Sequence, residues 1–136
     1  MKGQVVTAKE KFDQVCAEVC ERLSWTRTTN SIEVPLEKTR SQTVELDFFV
    51  HEAQEMVRLH TSIGSTRRIR PERLSFALEL NFSLPHGSLA VKNDTLVLVD
   101  TLVLGEVDAI EFESSANFLA KTGDQYELTL FGVDEN

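Results

Sequence analysis

Residues 88–104 read SLAVK-ND-TLVLVDTLVL, and this stretch decides the fold. Ser88–Lys92 and Thr95–Leu104 have the composition of strands, and Asn93-Asp94 between them tolerates the positive φ of a two-residue hairpin turn. The second segment is apolar on both faces, which marks it as a central strand or one covered on both sides. Its one charge, Asp100, needs a partner in such surroundings; an arginine or a backbone donor is expected rather than a catalytic role.

Upstream, three segments alternate with period two, the pattern of a sheet with one buried face and one wetter face. In Ser31–Leu36 the apolar set is Ile32, Val34 and Leu36. In Thr43–His51, Val44, Leu46, Phe48 and Val50 oppose Glu45, Asp47, Phe49 and His51. In Glu55–Ile63, Val57, Leu59, Thr61 and Ile63 oppose Met56, Arg58, His60 and Ser62. Short polar connections favour antiparallel neighbours. Pro35 predicts an edge position for the first of these strands, because proline has no N–H to donate to a ladder.

Helices frame these strands. In residues 7–24, Phe12, Val15, Cys16, Val19, Cys20 and Leu23 form one face of a 3.6-residue period, with Thr7 as the N-cap. Pro71 suits the first position of a short helix running to about Asn81. Leu74, Ala77 and Leu78 lie on one side of that helix and Phe76 and Leu80 on another, so one sheet cannot cover it. From Gly105 to Phe131 the residues Phe112, Ala116, Leu119, Gly123, Tyr126 and Leu130 recur in alternating steps of four and three, as in a helix. Gly123 on that stripe marks a close backbone approach or a break. Residues 124–131 also fit a strand, and both readings stay open. The expected fold is α+β, an antiparallel sheet with helices packed on it in the order α-β-β-β-α-β-β-α.

The 136 residues are read as a single domain, 1–136, long enough for a core without staples. The apolar fraction of 41% and charged fraction of 26% are those of a globular chain. No apolar run approaches the roughly 20 residues of a membrane span, so no membrane association is expected. A net charge of −8 disfavours nucleic acid as a partner. Two cysteines without a secretory signal point to a reducing, cytoplasmic location.

Candidate chemistry is sparse. Cys16 and Cys20 lie one turn apart on an apolar face, and core packing is favoured over a redox or metal pair. His51 and His60 could meet across two strands near Glu52 or Glu55 as a zinc corner, against the commoner reading of separate histidines on a wet face. The segment 64–73 carries Arg67, Arg68, Arg70 and Arg73 ahead of a helix N-terminus. It is a solvated loop, an interface for acidic groups, or an anion contact, and it lacks the P-loop pattern. No nucleophile has a recognisable local context, so no catalytic residue, metal or other cofactor is expected.

Several strings resemble the type III secretion chaperone-like fold family, which includes class I CesT/Tir-type chaperones and YbjN-type proteins. Leu78-Glu79-Leu80-Asn81-Phe82 followed by Leu84-Pro85-His86-Gly87-Ser88-Leu89-Ala90-Val91 resembles the family's helix end, Asn, break, Gly and strand. Asn93–Leu98 resembles its tight hairpin, and Val99–Leu102 with the helix after it resembles its final unit. The resemblance implies a non-catalytic homodimer that binds an extended segment of a partner protein, such as a secreted effector or a regulator. On that basis Ile32, Val34, Leu36 and Phe49 are the expected partner-binding residues. Leu74, Phe76, Leu78 and Leu80 are the expected dimer interface. The alternative is a small anion- or nucleotide-binding protein using the arginine segment 67–73.

Overall fold

The computed structural model describes residues 6–37 and 39–131. Nine elements follow in order: α1 (Ala8–Leu23), β1 (Thr26–Arg27), β2 (Ser31–Pro35), β3 (Ser41–His51), β4 (Gln54–Ser65), α2 (Pro71–Leu80), β5 (Ser88–Lys92), β6 (Thr95–Val103) and α3 (Ala109–Tyr126). Every strand pairing is antiparallel, and the six-stranded sheet has the order β1-β2-β3-β4-β6-β5. The α+β class and the order of the expected elements hold, with β1 as an addition.

Local chemistry explains the ends of the elements. Thr7 and Glu10 form a reciprocal capping box at the start of α1. Asp108 caps α3 through the Glu111 N–H at 2.8 Å. Pro71 sits in the first turn of α2. Asn93 and Asp94 carry φ of 50° and 62°, as a primed hairpin turn requires.

One face of the sheet packs against α3, and α1 packs on α3. Phe12 of α1 is fully buried and meets Phe48 of β3 and Phe112 of α3 edge-on, at centroid distances of 5.7 and 5.5 Å. Cys16, Val19, Ile32, Val44, Leu46, Val57, Leu59, Leu98 and Leu119 belong to the same apolar cluster.

Four boundaries differ from the sequence reading. The last helix starts at Ala109, not Gly105, because residues 105–107 turn the chain from β6 toward the Asp108 cap. It ends at Tyr126, and Glu127–Phe131 form a wider π turn that buries Leu130 and Phe131, so residues 124–131 contain no strand. The segment TLVLVDTLVL is flanked by β4 and β5, so it is internal without being central; Leu96, Val97, Leu98 and Leu104 are buried and the residues between are not. Pro35 does not make β2 the outermost strand, because β1 pairs with Ile32 and Glu33 and leaves the proline end beyond that short ladder.

Gly123 brings α3 close to the sheet. A Cβ there would lie 2.7 Å from Thr61 Cγ2. Thr61 cannot give way: it is fully buried, donates to the Thr43 carbonyl at 2.6 Å and accepts from Gln42 Nε2 at 2.9 Å. We therefore expect Gly123→Val to cost roughly 1–3 kcal/mol by overpacking. Helix propensity alone favours the larger residue, so urea unfolding of the variant separates the two effects by sign.

Candidate protein-binding surface

With one sheet face closed by α3, apolar side chains left outside mark the remaining surface. The first group lies on α2 and its continuation. Ala77 is fully buried, and its neighbours one position either way are turned about 100° from it. Phe76 is accordingly 44% and Leu78 61% exposed, and Phe82, four residues beyond Leu78, is 96% exposed. Leu74 and Leu80 pack against the core instead. The dimer residues expected from sequence thus divide into an outward pair, Phe76 and Leu78, and an inward pair, Leu74 and Leu80.

Strand β5 lies beside this helix and is the edge of the sheet. Asn81 occupies part of that edge. Its Nδ2 donates to the Leu89 carbonyl at 3.2 Å, and its Oδ1 accepts the Leu89 N–H at 2.5 Å. One side chain thereby replaces a strand residue at Leu89 and leaves Val91, 54% exposed, as the outer apolar residue of β5.

The second group lies at the far end of β3 and β4, on the sheet face away from α3. Phe49, Met56 and Val103 pair across three strands into an apolar row. The Arg58 guanidinium covers the Phe49 ring at 4.2 Å. Val50, on the opposite face of β3 with Phe48, is exposed at the same end of the strand. Lys9, Phe48, Phe49, Val50, Met56 and Leu104, residues of both faces, help line a hollow of about 210 Å³ at this end of the strands.

The four expected partner residues do not converge. Ile32 and Val34 are 0% and 1% exposed, so they fill the core and cannot offer side chains to a partner. Their alternation does identify a buried face, but it faces this chain's own helices. Leu36 is half-buried and borders a separate hollow with Pro35, Arg40 and Lys121. Phe49 lies eight residues further along β3 than Ser41, the partner of Pro35, which is roughly 26 Å of strand. Sequence reasoning missed Val50, Phe82 and Val91. Phe82 was detectable, since it repeats the Leu78 position one helical turn on.

The arginines diverge as well. Arg67 pairs with Asp94 at 3.1 Å, and Arg70 approaches Glu72 at 3.9 Å. The Arg68 guanidinium lies over the Phe131 ring, and Arg73 donates to the Thr129 and Leu130 carbonyls at 2.9 and 3.2 Å. Arg73 thus caps the π turn at Glu127–Phe131, and the segment is neither a free loop nor a converging anion cradle: residues 64–65 end β4 and 66–68 form a 3₁₀ turn.

The remaining candidates are also placed. His60 bonds Asp47 at 2.9 Å, while His51 lies near Glu52 at the other end of the hairpin, so the two histidines do not meet. Among the described residues no cluster of three metal-ligating side chains occurs, and no helix is long and apolar enough to cross a membrane. Asp100 accepts from Ser115 Oγ at 2.7 Å, so its partner is a hydroxyl rather than the expected arginine or backbone donor. Cys16 and Cys20 are both buried in the core.

Three solved structures share this arrangement. A chain of the ExsC–ExsE complex matches with a TM-score of 0.64 at 11% identity, over 90% of this chain and 95% of that one. The HopA1–SchA chaperone–effector complex matches with a TM-score of 0.60 at 9% identity, over 94% and 98%. The Yersinia pestis type III secretion chaperone SycH, in complex with a stable fragment of YscM2, gives 0.50 at 16% identity, over 88% and 98%. This is the type III secretion chaperone-like fold. At these identities the match speaks to architecture alone. No family model and no curated protein sequence matches the chain.

Charge also acts locally, where α1 holds β1. Asp13 lies between Lys9 Nζ at 3.2 Å and Arg27 Nη1 at 2.9 Å. Burial raises the Asp13 pKa, but the bonds and charges of Arg27 and Lys9 outweigh it and hold the carboxyl below its ordinary 3.8. A pKa depressed on folding stabilises the fold above the unfolded value, and that stabilisation is lost as pH falls through the folded one. Asp13→Asn should therefore be less stable than the wild type at neutral pH. The gap should close as pH drops below 3.8, read by urea unfolding at each pH.

Proposed function

We propose that this protein is a non-catalytic, homodimeric module of the cytoplasm that binds an extended segment of a partner protein. The observation that carries the reading is the pair of separate apolar surfaces on a chain with this fold. Phe76 on one flank of α2, Leu78 and Phe82 toward the other, and Val91 on β5 lie around one sheet edge, and Phe49, Met56 and Val103 with Val50 on the other face lie at the far end of the strands. Patches of this kind mark interaction sites. Two patches fit two occupants. A second copy on α2 and β5 would make a self-complementary two-fold contact. A partner segment over the β3–β4 end would set apolar side chains into the hollow beside Phe49 and Val50. The likeness to structures described as complexes with an effector or a protein fragment supports the second occupant. The anion-binding alternative draws no support from the four arginines, whose described contacts lead in different directions.

Light scattering on the wild type at micromolar concentration should report twice the chain mass of 15.3 kDa. Phe76→Glu with Leu78→Glu should give a folded monomer. A folded wild-type monomer would refute the dimer.

For the partner, capture from the native lysate followed by calorimetry is the direct test. Burial of apolar area predicts a negative heat-capacity change and modest salt dependence. Phe49→Ser with Val50→Asp should weaken binding by roughly tenfold or more, as loss of two anchoring side chains does. Arg67→Ala with Arg68→Ala should leave it near wild type. Steep salt dependence with the opposite mutational pattern would favour the arginine segment. A YbjN-type protein without a client would give the dimer and no specific partner.

A further inference from the structure

The buried cysteines have a relation beyond packing. Cys16 Sγ and Cys20 Sγ stand 4.0 Å apart, facing each other across one turn of α1. Cys16 is fully buried and Cys20 is 6% exposed, so Cys20 is the one within reach of a small reagent. Arg27, anchored by Asp13, brings a positive charge near the pair. The hydrogen bond the two thiols share lowers the Cys20 pKa and, with burial, raises that of Cys16, while the Arg27 charge favours the thiolate of either. One thiol is thus prepared as a nucleophile and the other is kept protonated beside it.

We propose that Cys16 and Cys20 form an oxidation site, at which a hydroperoxide converts the dithiol to an intrahelical disulfide and loosens the last turn of α1. In the first step the Cys20 thiolate attacks a peroxide oxygen. The O–O bond breaks, an S–O bond forms, and the peroxide's other half leaves as alkoxide or hydroxide, which takes up the proton Cys20 gave up and becomes an alcohol, or water from hydrogen peroxide. Cys16 Sγ then attacks Cys20 Sγ. The S–S bond forms, the S–O bond breaks, and the departing hydroxide leaves as water with the proton that Cys16 sheds. The two sulfurs are oxidised by two electrons in all, and the peroxide is reduced by two.

The geometry says what must move. Cβ atoms one helical turn apart lie about 5–6 Å from each other, whereas a disulfide needs about 3.5–4.5 Å. The helix has to yield, and the strain falls on the C-cap that Cys20 holds. The Cys20 carbonyl accepts both the Ser24 N–H of the C-cap and the Trp25 N–H, the latter at 2.9 Å. Drawing Cys20 toward Cys16 pulls on both bonds. Trp25, the chain's one tryptophan, is buried against Phe112 at 6.5 Å and so reports the movement.

The test treats the reduced, full-length protein with a few equivalents of hydrogen peroxide, then denatures it and adds iodoacetamide. The expected product has lost the mass of two hydrogen atoms and takes up no label at either cysteine. Trp25 emission should change in step and return on adding dithiothreitol. In Cys16→Ala the reaction should stop at a sulfenic acid on Cys20 that dimedone traps. In Cys20→Ser, Cys16 should react roughly tenfold or more slowly, because it is fully buried and a reagent cannot reach it. Neither variant should show the reversible emission change. Full labelling of both cysteines in peroxide-treated wild type, a disulfide between two chains, or oxygen added at Cys20 without a disulfide would overturn the site. A disulfide with unchanged Trp25 emission would overturn the loosened turn.

Discussion

Phe12 is the ring on which the arrangement depends. It touches Phe48 in the sheet and Phe112 in α3 at once, edge-on to both, and no water reaches it. A side chain of this size buries on the order of 150–250 Å² and gains further from edge-to-face geometry. Because Phe12 joins two helices and a strand, the helices cannot slide over the sheet independently. Ten further large side chains, almost fully buried, belong to the same core and extend it toward Leu96, Leu98 and Leu119.

That closure decides what remains for partners. The sheet face under α3 is spent on the core, and Ile32 and Val34 are spent with it. The opposite face keeps a row of apolar residues at one end and hydrogen-bonded polar groups elsewhere, such as His60 with Asp47 and Glu33 with Ser41 and Thr43. Helix α2 takes no part in the three-ring contact. It buries Ala77 and presents Phe76 and Leu78 to the outside. The fold therefore has open apolar regions for the same reason it has one tight core: α1 and α3 are both spent on the same side of the sheet.

Two short segments hold the edges. At one edge β1, with two residues, covers part of β2, and Arg27 ties β1 to α1 through Asp13. At the other, Asn81 occupies the backbone of Leu89. Neither closes its edge completely. Arg73 closes the π turn at Glu127–Phe131 by binding the Thr129 and Leu130 carbonyls, and Gly64 leaves the space that the Phe131 ring fills, since a Cβ there would lie 2.5 Å from it. The basic segment is thus a structural clasp at Arg73, although its charge suggested a ligand.

Periodicity along the chain determined a great deal by itself: the two amphipathic helices, the alternating strands, the Asn93-Asp94 hairpin and the antiparallel α+β architecture. These are local properties, set by which side chains face the same way at 3.6 or two residues per repeat. The family resemblance lay in such local strings too, and the architecture it implied is the one found. Tertiary structure decided the rest. Alternation shows that Ile32 and Val34 share a face, but not that their own chain covers it. Glu52 and Ala53 have no turn signature, yet both take positive φ because the long β3–β4 register demands a two-residue turn there. The exposed corner at Phe49 and Val50, the outward flank of α2 and the facing thiols of Cys16 and Cys20 all depend on which surfaces the packed helices leave uncovered. Burial is a property of the assembled layers, and no single segment carries it.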